Sequence, residues 1–541
     1  MPIASPYPPI ELITQPYHEI LLSSLRKHAR NNPHKLAAIS AENPDDKITY
    51  QELHDAILSA ASFLRQRGFK KGDVVAMATQ NTWHFLAFIM GAAVNGGAGS
   101  GMASIFTPYE MQRQILDCGA VAILTTETVL PKILEAVKTC PKVKMIVVIG
   151  KCPNNSGNLI SWDDVIRTKH TSFDDVIISA KKDIIHLPYS SGTTGPPKGV
   201  MISHFNLSSM VKIYSKTDES NVSTLNPPFH YDKEYAILYL PMYHAYGFTL
   251  ANCALNLGIT AVMMSHFDPT VFCRSIEKYR IRNINVVPPI LLLMVKSPLA
   301  AKFDLNSIEL IISGAAPCGK DLCEEVVRKL PKARIQQGWG MTETTIAGAL
   351  PDFREKQPFG CVGKTMINSE LSIVDVNTGK ECSREVSGEV CVRGPTVMMG
   401  YLNRPEATNE TIQSGWLHTG DIGYVDKDGY LFIVDRLKEL IKVKGLQVPP
   451  AELEDLLLTH PKVKDVAVIG VKHEQFGEVP KAYIVTQTPN QMSEKEVHDF
   501  VNGKVSKYKQ LLGGVEFINE IPKSPSGKIL RRVLKDMQAK L

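Results

Sequence analysis

Tyr189-Ser190-Ser191-Gly192-Thr193-Thr194-Gly195-Pro196-Pro197-Lys198-Gly199-Val200 stands directly after the apolar run Ile184-Ile185-His186-Leu187-Pro188, so the pair reads as a strand running into a loop. Three glycines permit positive φ and close backbone approach. Four hydroxyls (Ser190, Ser191, Thr193, Thr194) and the intervening N–H groups can surround a polyanion, and Lys198 adds a point charge. This is chemistry for the phosphates of a nucleotide. A Walker loop is a different solution, because it needs GxxxxGK[ST], whereas here two prolines precede Lys198 and Gly199 follows it. The plain alternative is a solvated Ser/Thr turn, but a flexible linker has no use for Pro-Pro-Lys in this order.

Outward from that loop, apolar strand signals alternate with helical patterns. Ile48 to Gly68 reads as a short strand and an amphipathic helix, Val74 to Ala78 as a buried strand, and a second helix runs through Val94. Further strands are predicted at Ala120 to Thr125, Lys144 to Ile149, Ala236 to Leu240, Ile284 to Val287 and Leu310 to Ser313. Continuous apolar strands separated by helices indicate largely parallel sheets covered on both faces. From about Gly360 the runs become short and alternating, as in Leu371 to Val374 and Glu389 to Val392, and turns such as Asn377-Thr378-Gly379 and Asp426 to Gly429 interrupt them. That is the pattern of a small β-rich unit. The reading places a large unit at 1–435, its β-rich part at about 360–435, and a small unit at 436–541.

A chain of 541 residues exceeds one hydrophobic core. Its net charge of +5 argues against a general nucleic-acid role. From Arg436 onward, 18 Lys and Arg face 13 Asp and Glu, while the preceding residues are balanced. The basic excess therefore lies where a phosphorylated ligand could use it. Ten cysteines are scattered without a CxxC, which suits a reducing compartment with free thiols. Met1 to Pro6 predicts no secretory leader, and the apolar runs Phe85 to Val94 and Val286 to Val295 are too short to span a bilayer. Ala539-Lys540-Leu541 is a variant of the Ser-Lys-Leu peroxisomal address, so the expected location is the peroxisome, reached through its import receptor, and otherwise the cytoplasm.

Other stretches stand in a fixed order: Pro241-Met242-Tyr243-His244-Ala245-Tyr246, Ser313-Gly314-Ala315-Ala316-Pro317, Gln337-Gly338-Trp339-Gly340-Met341-Thr342-Glu343, Gly388-Glu389-Val390-Cys391-Val392-Arg393-Gly394 (read as structural, alternating strand residues closed by glycines), Trp416-Leu417-His418-Thr419-Gly420-Asp421, Asp435-Arg436-Leu437-Lys438, and Pro522-Lys523-Ser524-Pro525-Ser526-Gly527-Lys528. Together with the loop at 189–200 they resemble the adenylate-forming superfamily, which includes acyl-CoA synthetases, 4-coumarate–CoA ligases, beetle luciferases and peptide-synthetase adenylation domains. The resemblance covers roughly residues 30 to 535 and is nearest the 4-coumarate–CoA ligase and luciferase-like branch.

The resemblance implies an α/β fold: a large N-terminal domain of two mainly parallel, helix-covered sheets plus a small β-barrel, and a small mobile α+β C-terminal domain. It implies ATP, Mg²⁺ and coenzyme A as cofactors and a carboxylic acid, aromatic or medium-to-long acyl, as substrate. By position, Ser190, Ser191, Gly192, Thr193, Thr194 and Lys198 hold phosphates. Gly314, Ala315, Gln337, Gly338 and Trp339 take adenine, the tryptophan standing where relatives commonly have tyrosine and so losing a hydroxyl contact. Thr342 contacts the α-phosphate and Glu343 holds Mg²⁺, a hard ion that takes oxygen ligands. Asp421 accepts the ribose hydroxyls, as an ionised carboxylate can. Arg436 contacts ribose-phosphate, Lys438 is the hinge, and Lys528 is the adenylation lysine. His244, Tyr246, Ala315 and Leu350 line the acyl pocket, with His244 beside the reacting carboxylate. Lys442, Lys444, Gly445 and His266 serve CoA, although relatives often carry lysine near His266. The expected reaction is acyl-adenylate formation followed by thioester formation. Alternatives are a luciferase-like monooxygenase and a catalytically silent nucleotide or acyl binder. A P-loop ATPase or kinase is disfavoured by the missing Lys-Ser/Thr pair.

Overall fold

A computed structural model of the chain describes residues 2–153, 157–190, 197–316, 318–437, 439–443, 446–473, 476–488, 492–502, 504–505, 507–524 and 527–538, with backbone alone at 446–447. Ser191, Gly192, Thr193, Thr194, Lys438, Lys444, Gly445 and the tail 539–541 therefore lie outside the described residues.

The core of the large domain is a nine-stranded sheet. Strands Ile184–His186, Ala98–Met102, Val74–Ala78, Ala122–Thr126, Met145–Ile149 and Leu159–Ser161 lie side by side and run parallel. Lys198–Ser203 adds to Ile184–His186 in the antiparallel sense. The second predicted sheet is built as two hydrogen-bonded pieces. One joins Tyr235–Leu238, Thr260–Met263, Leu36–Ser40 and Lys47–Thr49; the other is wholly parallel and joins Asn283–Val286, Leu310–Ser313 and Arg334–Gln337.

Local chemistry fixes the helices between them. Thr49 starts the helix Tyr50–Gln66 with a capping box: Glu52 N–H donates to its hydroxyl and Thr49 N–H to the Glu52 carboxylate. This helix packs on Trp83–Val94 where a Cβ on Gly91 would stand 2.9 Å from Ala60, so only hydrogen lets the backbones approach.

From residue 360 onward the β-rich unit is a six-stranded sheet containing Glu370–Val374, Gly388–Arg393, Trp416–Val425 and Leu431–Arg436. Its edge is the chain's own beginning, with Ile3 opposite Leu371 and Ala4 opposite Glu370. After Arg436 a small α+β domain follows. Its strands Ile441–Val443, Leu446–Val448, Val463–His473, Gly477–Thr486 and Val515–Phe517 form one sheet, with helices Pro450–Leu458, Glu494–Asn502 and Arg531–Gln538. It has its own apolar core around Leu453, Leu457, Val466, Ile484 and Val497.

The large domain buries histidines in apolar surroundings. Burial pushes His18 down to about 4, and His186 and His204 to about 3. The unfolded chain takes up these protons below its ordinary value near 6.5, and the folded chain refuses them until about pH 3–4. Stability is therefore complete above pH 6.5 and lost progressively as pH falls through that window, at up to about 1.4 kcal/mol per pH unit for each histidine. Melting temperature is expected to fall steadily between pH 7 and pH 5; a flat profile would contradict the assignment of neutral core imidazoles.

Candidate active site

The described flanks of the nucleotide-loop candidate pair with each other as strands. Tyr189 and Ser190 pair antiparallel with Gly199 and Lys198, so Lys198-Gly199-Val200 opens a strand and is not the end of a loop. The hairpin is anchored from outside. Tyr189 Oη donates to Asp117 Oδ2 at 2.7 Å, and Arg404 holds the other oxygen of Asp117 at 2.9 Å. Val200 and Met201 pair in turn with Tyr401 and Gly400.

That pairing brings in a residue the sequence reading missed. Tyr401 Oη donates to Glu343 Oε1 at 2.8 Å, and Ser190 Oγ donates to the same oxygen at 2.9 Å. The Lys198 ammonium stands 4.8 Å over the Tyr401 ring. Nothing local in Gly400-Tyr401 signals this; only the long-range pairing with residues 200–201 does. Both donors fall on Oε1, so among the described residues Oε2 of this buried carboxylate has no hydrogen-bond donor. A carboxylate oxygen free of donors, with the Lys198 ammonium over the ring of the neighbouring Tyr401, is chemistry that fits a hard cation such as Mg²⁺.

Glu343 sits in the single turn Thr342–Thr344, with Thr342 half-buried beside it. The chain leaves this turn under strain. Thr345 has φ 66 and ψ −48, Ile346 N–H reaches Thr344 O at 2.8 Å, and the β-branched side chain is held by Thr396 O at 2.7 Å. This is a γ-turn, a conformation that persists only where its surroundings over-determine it. Gly340 allows the return: a Cβ there would stand 2.1 Å from Ile346 O.

Asp421 and Arg436 lie opposite each other on paired strands, and Arg436 Nε meets Asp421 Oδ1 at 2.7 Å. Trp339, buried against Gly348, donates its indole N–H to Asp421 Oδ2 at 2.9 Å. The tryptophan thus makes a polar contact where only a lost hydroxyl contact was expected. The Gln337 amide is engaged on both atoms by the Cys318 backbone, at 2.8 and 3.1 Å, and so braces the loop that carries Gly314 and Ala315. Ala315 has φ 67 and is exposed. A Cβ on Gly314 would lie 3.5 Å from Tyr246 Oη and 3.8 Å from Gly338 O, so these three positions converge.

His244 immediately precedes the helix Ala245–Leu257, and its buried Nε2 has no hydrogen-bond partner among the described residues. A neutral imidazole with an unsatisfied nitrogen is suited to a bound polar group. Leu350 is buried in the short strand Ala349–Leu350. His266 lies apart from this cluster's bonded network, exposed, with its ring nitrogen 2.9 Å from Ser265 Oγ. Lys442 is also exposed, its N–H donating to Glu478.

Lys528 comes from the small domain and reaches the cluster. Burial, then the charge of Arg436, pushes its pKa below the ordinary lysine value, while Glu439, Asp421 and Glu343 oppose that shift. Gly527 brings this loop against the large domain: a Cβ on it would lie 3.3 Å from Pro289 and 3.5 Å from Val287. Behind the loop, Arg531 pairs with Glu439 at 2.9 Å and Glu454 at 2.7 Å. The site thus gathers Lys198, Arg436 and Lys528 around Glu343 and Asp421, an arrangement able to hold a polyphosphate and a ribose side by side.

Residues 25–402 match the model of the AMP-binding enzyme family, and residues 452–528 that of the AMP-binding enzyme C-terminal domain. The chain is 41% identical over 505 residues to 4-coumarate–CoA ligase 3 of Oryza sativa subsp. japonica, covering 92% of this chain and 88% of that protein. It is 37% identical over 523 residues to acyl-CoA synthetase 7 of Caenorhabditis elegans, covering 96% of both. Among solved structures, ATP-bound MatB from Rhodopseudomonas palustris is similar with a TM-score of 0.83 and 28% identity, covering 95% of this chain and 98% of that one. The o-succinylbenzoate CoA synthetase of Bacillus subtilis, in complex with its acyl-adenylate intermediate, is similar with a TM-score of 0.78 and 26% identity, covering 97% of this chain and 99% of that one.

Proposed function

Because the chain belongs to the AMP-binding enzyme family, we propose that it is an acid–CoA ligase: it activates a carboxylic acid with ATP to an acyl-adenylate and pyrophosphate, then forms the CoA thioester and releases AMP. A carboxylate cannot expel oxide. Attack of its oxygen on the α-phosphate displaces pyrophosphate and creates a leaving group, AMP, that a thiolate then displaces. The reading is supported by the loop of Lys528, which the small domain brings against Pro289 and Val287 of the large domain, within electrostatic reach of Glu343, Asp421 and Arg436.

Each residue has a physical task. Lys198 and the hydroxyls of the 189–200 hairpin balance the outgoing pyrophosphate, and Lys528 balances charge growing at the α-phosphate. Asp421 keeps lone pairs for two ribose hydroxyls after serving Trp339 and Arg436. Glu343, with Thr342 beside it, would hold Mg²⁺, which when bound supplies further positive charge against the phosphates. His244, kept neutral by burial, offers a hydrogen bond to the reacting carboxyl without fixing it as a salt. We further propose that the small domain, from about residue 436, turns about Lys438 between the two steps, so that Lys442, Lys444 and Gly445 replace Lys528 at the site.

A panel of carboxylic acids scored by ATP- and CoA-dependent release of AMP tests the activity. AMP and pyrophosphate are the expected products, and ADP as product would overturn the reading. The location rests on the tail alone: deleting Ala539-Lys540-Leu541 is expected to move the protein from peroxisomes to the cytosol with activity unchanged. Unchanged localisation in fluorescence microscopy would show the tripeptide match to be accidental.

A further inference from the structure

Cys318 and Cys323 lie on either side of the junction between the Gly314-Ala315 loop and the helix Lys320–Lys329, and both are buried. Their sulfurs stand 3.4 Å apart, with Cys318 S–H donating to Cys323 Sγ. A disulfide needs a separation of about 2.05 Å, so the two thiols are free here and must come about 1.4 Å closer to bond. The S–H bond from Cys318 pushes the Cys323 thiol below its ordinary value, against burial and the charge of Asp455. The same bond, then burial, pushes the Cys318 thiol up. Cys323 is therefore the attacking sulfur and Cys318 its resolving partner.

One side of this pair is tied to the nucleotide site. The Gln337 amide accepts from Cys318 N–H at 2.8 Å and donates to Cys318 O at 3.1 Å, and Gly338, next in the chain, stands beside Gly314. The other side faces the small domain. Asp455, on the helix Pro450–Leu458, holds a carboxylate oxygen 3.4 Å from where a Cβ on Gly319 would stand. The small domain thus lies over the turn between the two cysteines, and its carboxylate opposes a thiolate at either sulfur.

We propose that Cys318 and Cys323 are a redox modification site, a dithiol that hydrogen peroxide closes to a disulfide and that thereby lowers the affinity of the site for ATP. The effect on ATP rests on the acid–CoA ligase reading, in which Gly314, Ala315 and Gly338 take the adenine. The Cys323 thiolate attacks one peroxide oxygen, the O–O bond breaks, and the departing hydroxide takes up the proton that the thiol gave up. Cys318 then attacks the resulting sulfenic sulfur; the S–O bond breaks, the oxygen leaves as water with the Cys318 proton, and the S–S bond forms. Two electrons pass from the two sulfurs to the peroxide, and a dithiol reductant returns them. Cys323 is fixed in a helical turn, its N–H donating to Gly319 O at 3.2 Å, whereas Cys318 belongs to the loop. Closure therefore draws Cys318 toward the helix, and the clamp on Gln337 passes that movement to the adenine loop. Both sulfurs are covered while Asp455 rests on Gly319, so oxidation proceeds as the small domain leaves this contact.

For the test, the full-length reduced protein is treated with hydrogen peroxide, then divided between peptide mass spectrometry and a titration of AMP release against ATP. A Cys318–Cys323 disulfide is expected, with the KM for ATP raised about tenfold, an ordinary size for coupling between two sites, and restored by dithiothreitol. Cys323→Ala should keep the KM of the reduced wild-type protein before and after peroxide; Cys323→Val takes its place should the alanine protein melt below assay temperature. Coupling is reciprocal, so in a glutathione redox buffer saturating ATP should shift the ratio of dithiol to disulfide about tenfold toward dithiol. That second measurement needs no turnover. Absence of the disulfide after peroxide, a disulfide that leaves the KM for ATP unchanged, or a redox ratio that ATP does not move overturns the proposal. So does an equal rise of KM in the Cys323 variant, which would place the damage elsewhere. No acid-dependent AMP release from the reduced wild-type protein would instead overturn the ligase reading, while the redox ratio would still report the coupling to ATP.

Discussion

Lys528→Ala is expected to slow acyl-adenylate formation by about 10²-fold or more, while thioester formation from preformed adenylate and CoA stays close to the wild-type rate. Burial and Arg436 disfavour the Lys528 ammonium in the empty protein. An arriving polyphosphate removes that disadvantage, so the lysine gains most where negative charge grows, at the α-phosphate. Attack of a thiol on a finished adenylate calls for no new cation at that phosphate. Lys442, exposed on the small domain, should show the opposite bias as Lys442→Ala. The measurement is both half-reactions on both variants, with folding followed by thermal melting. Equal losses in the two half-reactions of Lys528→Ala would mean that one lysine serves both steps, and the proposed alternation of the small domain would fail.

Asp421→Ala should damage the site in two separable ways. The carboxylate accepts from the Trp339 indole and pairs with the Arg436 guanidinium, so its loss leaves a buried indole N–H without its acceptor and takes the close ion-pair partner from a mostly covered cation. A stability loss of about 2–3 kcal/mol is expected from this alone. Two ribose hydroxyls also lose a charged acceptor, each bond worth about 1.5–3 kcal/mol, so the ATP concentration for half-maximal adenylation should rise by about 10²-fold or more. Asp421→Asn separates the effects: it keeps an acceptor for Trp339 but carries no charge, so much of the melting temperature should return while the ATP defect remains. Unchanged dependence of adenylation on ATP in the alanine variant would remove Asp421 from the nucleotide site.

Local pattern and distant pairing were unequally legible in the sequence. The strand at Val74 to Ala78 and the helix ending at Val94 fall where the apolar runs place them, because burial on both faces leaves a continuous apolar signature. The strand Ala98–Met102 reads Ala-Gly-Ser-Gly-Met and carries no such signature. Its residues are small because neighbours crowd it: a Cβ on Gly99 would lie 2.3 Å from Ile89, and one on Gly101 would lie 2.6 Å from Tyr243. At the site, Glu343, Asp421, Arg436 and Lys528 stand in motifs and were found through them. Tyr401 and the clamp of Gln337 on Cys318 were not, since each acts through a partner that only the fold brings to it and leaves no periodicity behind. The hairpin was missed for a related reason, as Lys198-Gly199 reads as loop chemistry and becomes strand only through pairing with Tyr189-Ser190 and Gly400-Tyr401.

Those distant pairings also order events at the ribosome. Ile3 finds its partner only when Leu371 exists, and Val200 must wait for Tyr401. At about 5–20 residues per second, the first strand stays unpaired for about 20–70 s after it is made, and the strand that carries Lys198 lacks its outer neighbour for about 10–40 s. A nascent chain halted short of residue 400 has the parallel core of the large domain but not Tyr401 against Glu343. Nucleotide can therefore begin to stabilise the growing protein only after Tyr401 has been made.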